Sequence, residues 1–329
     1  MCAFLACNST FGGTIDWTAV TEYPGTTMPG VGLTMFAVEL SDLSAGTMTV
    51  KTTYDSPLSA MFALNAVKEN HIKIGDVHGG PLGAIEPIFG LVSLPFLTAS
   101  VDDTQCLQGA TRDLYKAYFA KLGVHLLYSA PWPATGLWSA TPAQTLSDIR
   151  KLHVRTYDET AASFLKSVGV DAVHMPMSKA LPLLATGEIT GVMSSGDGGA
   201  GQRLWEHLPY FVELNYAAPL SFAVLNQSAY ANLNESERHQ VDEAARRTEQ
   251  RLWLVMEDRY SKNYKAMRQH NVTIQKMMPT LDAELRSASQ RAIKEWSAKA
   301  GADGEELLRR YEALRPIANR RHDATVCSM

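Results

Sequence analysis

Hydrophobic and polar positions alternate in two rhythms along the 329 residues, and the switches between them mark the elements. TIDWTAV (14–20) reads as a first strand and EYPGTTMPG (22–30) as a turn-rich loop. VGLTMFAVELSDLSAG (31–46) has the spacing of an amphipathic helix closed by Gly46, and TMTVKTTY (47–54) alternates as a strand does. A helix-to-strand passage covers 61–77. LVSLPFL (91–97) is an apolar segment interrupted by Pro95. TRDLYKAYFAKLG (111–123) reads as a helix and VHLLYSA (124–130) as the strand after it.

From 152 the alternation tightens: strand LHVRTY, helix ETAASFLKSVG, strand DAVHM, helix SKALPLLATG, strand EITGVMSS. Two consecutive βαβ units predict parallel strands with helices on the sheet faces, and Gly169 and Gly187 close the two helices. SFAVLNQ (221–227) adds one more strand. In the run 234–270, Asn234 and Glu237 resemble a capping box, and no Gly or Pro follows. A helix of that length measures roughly 55 Å at 1.5 Å per residue, too long for one lobe with a radius of gyration near ~15 Å. The pattern therefore predicts an α/β fold of two lobes with the long helix running along both. Chain crossovers are expected near 125–139 and 215–227. Residues 14–138 and 222–250 would form one lobe, and 139–221 and 251–320 the other.

Composition narrows the function more than the fold. Thirty basic against 34 acidic residues give a net charge of −4, and Lys and Arg form no block, which argues against nucleic acid as a partner. No stretch of 18 apolar residues suggests a membrane span. Cys2, Cys7, Cys106 and Cys327 lack zinc-site spacing. Cys7 and Cys327 could pair, although their terminal positions weigh against it. The opening MCAFLACNST is apolar without a basic leader; it could be the stump of a signal peptide, and no compartment follows from it.

No H-E-x-x-H, G-x-S-x-G or ligand-spaced histidine pair occurs, so no catalytic residue, metal site or cofactor is expected. GDGGAG (196–201) lacks the Lys-Ser/Thr of a phosphate loop, with Gln202 and Arg203 in those places, and reads as a flexible turn after a strand. An α/β enzyme using that turn for a phosphorylated small molecule is the rival function. HGG (78–80) could let backbone approach a ligand, which makes His78 a candidate.

Arg155 is the most informative residue. Alternation sets it beside His153 and Tyr157, near the C-terminal end of a parallel strand, where open α/β sheets bind ligands. Asp158 or Thr160 can cap the next helix. A buried guanidinium there either awaits an anion or pairs with a chain carboxylate such as Asp158 or Glu188. Ser194 and Ser195, at the end of the next-but-one strand, offer hydroxyl donors. Tyr23, Trp132, Trp138, Tyr157, Trp205 and Tyr216 stand near strand ends, with Trp138 and Tyr216 candidates for pocket walls, though core packing is the commoner use of such residues.

The segment SDIRKLHVRTYDETAASFLKSVGVDAVHMPMSKALPLLATGEITGV resembles the central signature of a receptor family. These are the extracytoplasmic solute-binding subunits of tripartite ATP-independent periplasmic (TRAP) transporters, dicarboxylate-binding type. DIRKLHVRT, MPMSKAL and TGEITG stand where the family has its three conserved elements. PGVGLTMFAVELSDLSAGTMTVKTTYDSPL, LVSLPFL and the long late helix extend the likeness over most of the chain. The resemblance implies a two-lobed periplasmic-binding-protein-like fold with a ligand cleft between the lobes, and Arg155 in the place of the carboxylate-binding arginine. It also implies a small organic acid as ligand, a periplasmic location and the small and large permease subunits as membrane partners. Ser194 stands in place of the family's asparagine, Thr190 in place of an aspartate and Lys151 in place of a glycine. These departures bear on the ligand rather than the fold.

Overall fold

The computed structural model describes residues 14–98 and 100–321; the opening segment and Cys2, Cys7 and Cys327 lie outside them. Its strands are β1 (Ile15–Val20), β2 (Met48–Thr53), β3 (Ile74–His78), β4 (Val124–Pro131), β5 (Thr135–Ser139) and β6 (His153–Thr156). β7 (Asp171–His174), β8 (Gly191–Ser195), β9 (Tyr210–Glu213), β10 (Leu220–Asn226) and β11 (Thr273–Lys276) complete them. The helices begin with α1 (Met28–Leu43), α2 (Ala60–Lys68), α3 (Gly79–Leu82), α4 (Val101–Lys121) and α5 (Leu146–Ile149). α6 (Glu159–Ser167), α7 (Met177–Thr186), α8 (Gly196–Gly201), α9 (Gln227–Ala231), α10 (Glu235–Gln269) and α11 (Pro279–Arg321) follow.

Two sheets form, in the orders β2-β1-β3-β10-β4 and β11-β9-β5-β8-β6-β7. The tight βαβ run places β8, β6 and β7 side by side and parallel, as its crossover helices require. Both sheets are mixed, because β10 lies antiparallel between β3 and β4, and β5 antiparallel between β8 and β9. The chain passes from the first sheet to the second between β4 and β5 and returns between β9 and β10. Gly169 (φ 84°) and Gly187 (φ 76°) adopt the left-handed conformation that stops α6 and α7.

α10 begins at the foreseen cap. Asn234 accepts the Glu237 N–H at 2.9 Å, and the Glu237 carboxylate accepts the Asn234 N–H at 2.8 Å. Its 35 residues span roughly 52 Å. Leu252 and Met256 join the core under the first sheet, whereas Met267 joins a core under the second. Polar anchors repeat the division. Glu249 accepts the Ser129 N–H of β4 at 2.7 Å, and the Tyr264 hydroxyl donates to Glu213 of β9 at 2.5 Å. α11, kinked at Gly301, also touches both sides: Leu281 and Leu285 pack in the second lobe, Trp296 and Tyr311 in the first.

Three local expectations differ from the structure. α1 starts at Met28 because Pro29, read as turn chemistry, occupies a first-turn position where its missing N–H costs nothing. α4 starts ten residues before Thr111, with Ser100 accepting the Asp103 N–H at 3.0 Å. GDGGAG is a short helix, α8, capped by Ser195, rather than a flexible turn. Its glycines answer to close packing: a Cβ on Gly199 would lie 2.2 Å from the Trp138 ring, and one on Gly201 2.7 Å from Thr27.

Candidate functional site

Between the two sheets lies a cavity of about 40 Å³. His78 and Tyr23 reach it from the first sheet's end, Arg155 and Tyr157 from the end of β6, and Ser194 and Ser195 from the end of β8. Six of the eight residues singled out from the sequence thus meet at one place. Trp132, Pro133, Thr135, Met177, Met193, Gly198, Gln202 and Pro219 complete the lining, which contains no acidic residue.

Arg155 sits in register with Val173 of β7 and Val192 of β8 and is 6% exposed. Its Nε–H donates to the Met175 carbonyl at 2.8 Å. The other guanidinium N–H groups find no acceptor among the described residues, and no carboxylate among them lies within 4.0 Å. Asp158 does not pair with it. Instead Asp158 Oδ1 accepts the Ala161 N–H at 2.8 Å as the cap of α6. Burial lowers the pKa of Arg155; Tyr23, Glu22, Asp158 and Tyr157 oppose that shift. Burial likewise pushes Asp158 up to about 6 and raises Glu22.

The neighbours are mostly neutral donors on an aromatic frame. Tyr23 and Trp132 meet edge-on with centroids 4.8 Å apart, and Trp132 Nε1–H donates to Ser221 at 3.0 Å. The Tyr157 hydroxyl accepts from Thr135 at 3.4 Å, which leaves its own proton for another partner. Ser195 Oγ accepts the Gly198 N–H at 3.1 Å, so its hydroxyl proton is likewise free to turn into the cavity. Apolar contact comes from Met177, Met193, Pro133 and Pro219.

Trp138 and Tyr216 do not line the cavity. Trp138 lies behind β5 against Phe211, its Nε1–H on the Ser195 carbonyl at 3.2 Å. Tyr216 packs between Phe96 and Phe164 in the second-lobe core. Trp205 stacks on His270 away from the cavity. Trp132 is the aromatic that the strand-end criterion reached without selecting. Gln202 and the two methionines carry no sequence signal, since nothing local distinguishes a cavity methionine from a core one. The glycine-rich segment does not form a phosphate cradle, because the Gly198 N–H is taken by Ser195 and Gly199 is packed on Trp138.

A wider groove of about 640 Å³ runs past Gly80, Glu159, His174, Arg291 and Trp296. It carries both signs of charge but lacks a buried, unpaired ion. No cluster of potential metal ligands occurs among the described residues, and none of their helices is long and apolar enough to cross a membrane.

Comparison with known proteins agrees with this architecture. The family model for bacterial extracellular solute-binding proteins, family 7, matches residues 20–299. A Bordetella pertussis extracytoplasmic solute receptor that binds pyroglutamic acid superposes with a TM-score of 0.87 at 26% identity, over 91% of this chain and 100% of the receptor. A second receptor from the same organism, also binding pyroglutamic acid, gives 0.86 at 25% identity over 91% and 99%. A solute-binding protein of Chromohalobacter salexigens is 21% identical over 234 residues, 70% of each chain.

Proposed function

Because the chain belongs to family 7 of the bacterial extracellular solute-binding proteins, the receptors of TRAP-type transport, we propose that Arg155 anchors a small organic acid between its two lobes. One observation carries this reading: a guanidinium almost wholly out of water has a backbone carbonyl but no carboxylate among the described residues. Leaving such an ion unpaired costs on the order of several kcal/mol. A ligand carboxylate would remove that cost through two parallel N–H···O bonds, the geometry guanidinium favours. The small cavity and aromatic frame suit a compact acid. The two Bordetella receptors bind such a molecule, pyroglutamic acid.

Residues from both lobes line one cavity, so the ligand would be held by hinge closure, its differential affinity for the closed form supplying the bias. The protein performs no reaction in this reading. It selects a solute in the periplasm and delivers the loaded, closed form to the small and large permease subunits. The test is calorimetric. A thermal-shift screen of small organic acids identifies a binder, and Arg155→Ala is then titrated with it. The substitution is expected to cost about 2–5 kcal/mol of affinity, the range for truncating one partner of a buried charge pair. An affinity unchanged within about twofold would place the carboxylate elsewhere.

A further inference from the structure

Resting on Arg155 as the carboxylate anchor, we propose that His78 sets specificity as a fixed N–H donor to a neutral ligand oxygen, so that the ligand is a monocarboxylate bearing a carbonyl, amide or hydroxyl oxygen and no second charge.

The tautomer follows from the backbone. His78 ends β3 and caps α3, its Nδ1 accepting the Gly80 N–H at 3.2 Å. A nitrogen that accepts has no proton, so the neutral ring carries its proton on Nε2. Nε2 has no hydrogen-bond partner among the described residues, and the side chain lines the cavity. The ring is held in place, 5% exposed and flanked by Tyr157 at 5.1 Å, Trp132 at 6.1 Å and Tyr23 at 6.4 Å between centroids. Its charged and titratable neighbours keep it neutral: burial, the Arg155 cation and His174 together push its pKa down to about 3.

The remaining charge inventory excludes the alternatives. Arg155 is the one permanent cation in the lining, and a single carboxylate satisfies it. A second carboxylate would face neutral His78, aromatic rings and thioethers, without a counter-charge. A ligand ammonium would find no acid, because Glu22 and Asp158 lie outside the lining. Burying either unpaired charge is unfavourable. A neutral oxygen instead receives a donor that is already desolvated and oriented, from a different sheet than the arginine.

The experiment titrates the full chain with four acids of similar size: pyroglutamate (a ring amide oxygen), cyclopentanecarboxylate (no second polar group), glutarate (a second carboxylate) and proline (an ammonium). Pyroglutamate is expected to bind at least about tenfold more tightly than cyclopentanecarboxylate, and about a hundredfold more tightly than glutarate or proline. His78→Phe should weaken pyroglutamate by about tenfold more than it weakens cyclopentanecarboxylate, closing the gap between the two. His78→Gln, which retains a donor, should restore most of the difference. Glutarate or proline binding as tightly as pyroglutamate, with Arg155→Ala still abolishing it, would overturn the role of His78 and leave the anchor standing. Equal losses for both ring acids in His78→Phe would do the same. Binding indifferent to Arg155→Ala, or no binding by any of the four, would overturn both.

Discussion

At the scale of single residues, burial acts on every charged group around the cavity but with different results. Arg155 has no carboxylate partner among the described residues, whereas Asp76, on β3 of the other sheet, is pushed from the ordinary 3.8 to about 8 even though Thr21 donates to it at 2.8 Å. The sign of the stability effect follows. The folded state holds the Asp76 proton more tightly than the unfolded chain. This contribution is therefore fully present below pH 4 and is lost as pH rises from about 4 to about 8. Asp76→Asn keeps an acceptor for Thr21 and removes the titration. Its melting temperature should match the wild type near the acid end of that window and exceed it near the upper end; parallel profiles would show that Asp76 stays ionised. The place of Arg155 at the cavity was legible from its strand-end position, whereas that position alone left an external anion and a chain carboxylate equally open as its partner, and only the family resemblance favoured the anion. Trp138 and Tyr216 were not separable from Trp132, since which aromatic faces the cavity depends on what backs it. Phe211 and Gly199 claim Trp138, and Phe96 and Phe164 claim Tyr216.

Among the elements, the glycine-rich α8 has a structural role that its composition concealed. Its Asp197, 1% exposed, accepts the Met28 N–H at 2.8 Å, Arg259 Nε–H at 2.5 Å and Asn263 Nδ2–H at 3.2 Å. Thr27 supplies no side-chain cap to α1, so a carboxylate from the second lobe caps a first-lobe helix. Arg259 in turn donates to the Thr26 carbonyl, which ties α10 into the same cluster. Removing one partner of a buried ion pair leaves the other uncompensated. Asp197→Ala is expected to lower unfolding stability by roughly 3–5 kcal/mol in denaturant titration. A loss below about 1 kcal/mol would mean that water screens the pair as it does at a surface. No local signal could have announced this contact, because 169 residues separate Asp197 from Met28. The long helix was legible for the opposite reason: its cap, length and lack of breakers all lie within one continuous stretch.

For the molecule as a whole, two sheets exchange the chain twice and share α10 and α11, so the lobes are joined at several points while the cavity is lined from both. The two-lobe plan could be read from the βαβ run and from a helix too long for one lobe. The antiparallel placement of β5 and β10 could not, since it depends on which sheet each crossover rejoins. The crystal structure of the chain with the tightest-binding small acid bears most directly on the proposed function. It should show the carboxylate on the guanidinium fork of Arg155 at hydrogen-bond distance. A ligand whose carboxylate lies out of reach of Arg155, with that guanidinium held by the chain's own acids, would contradict it.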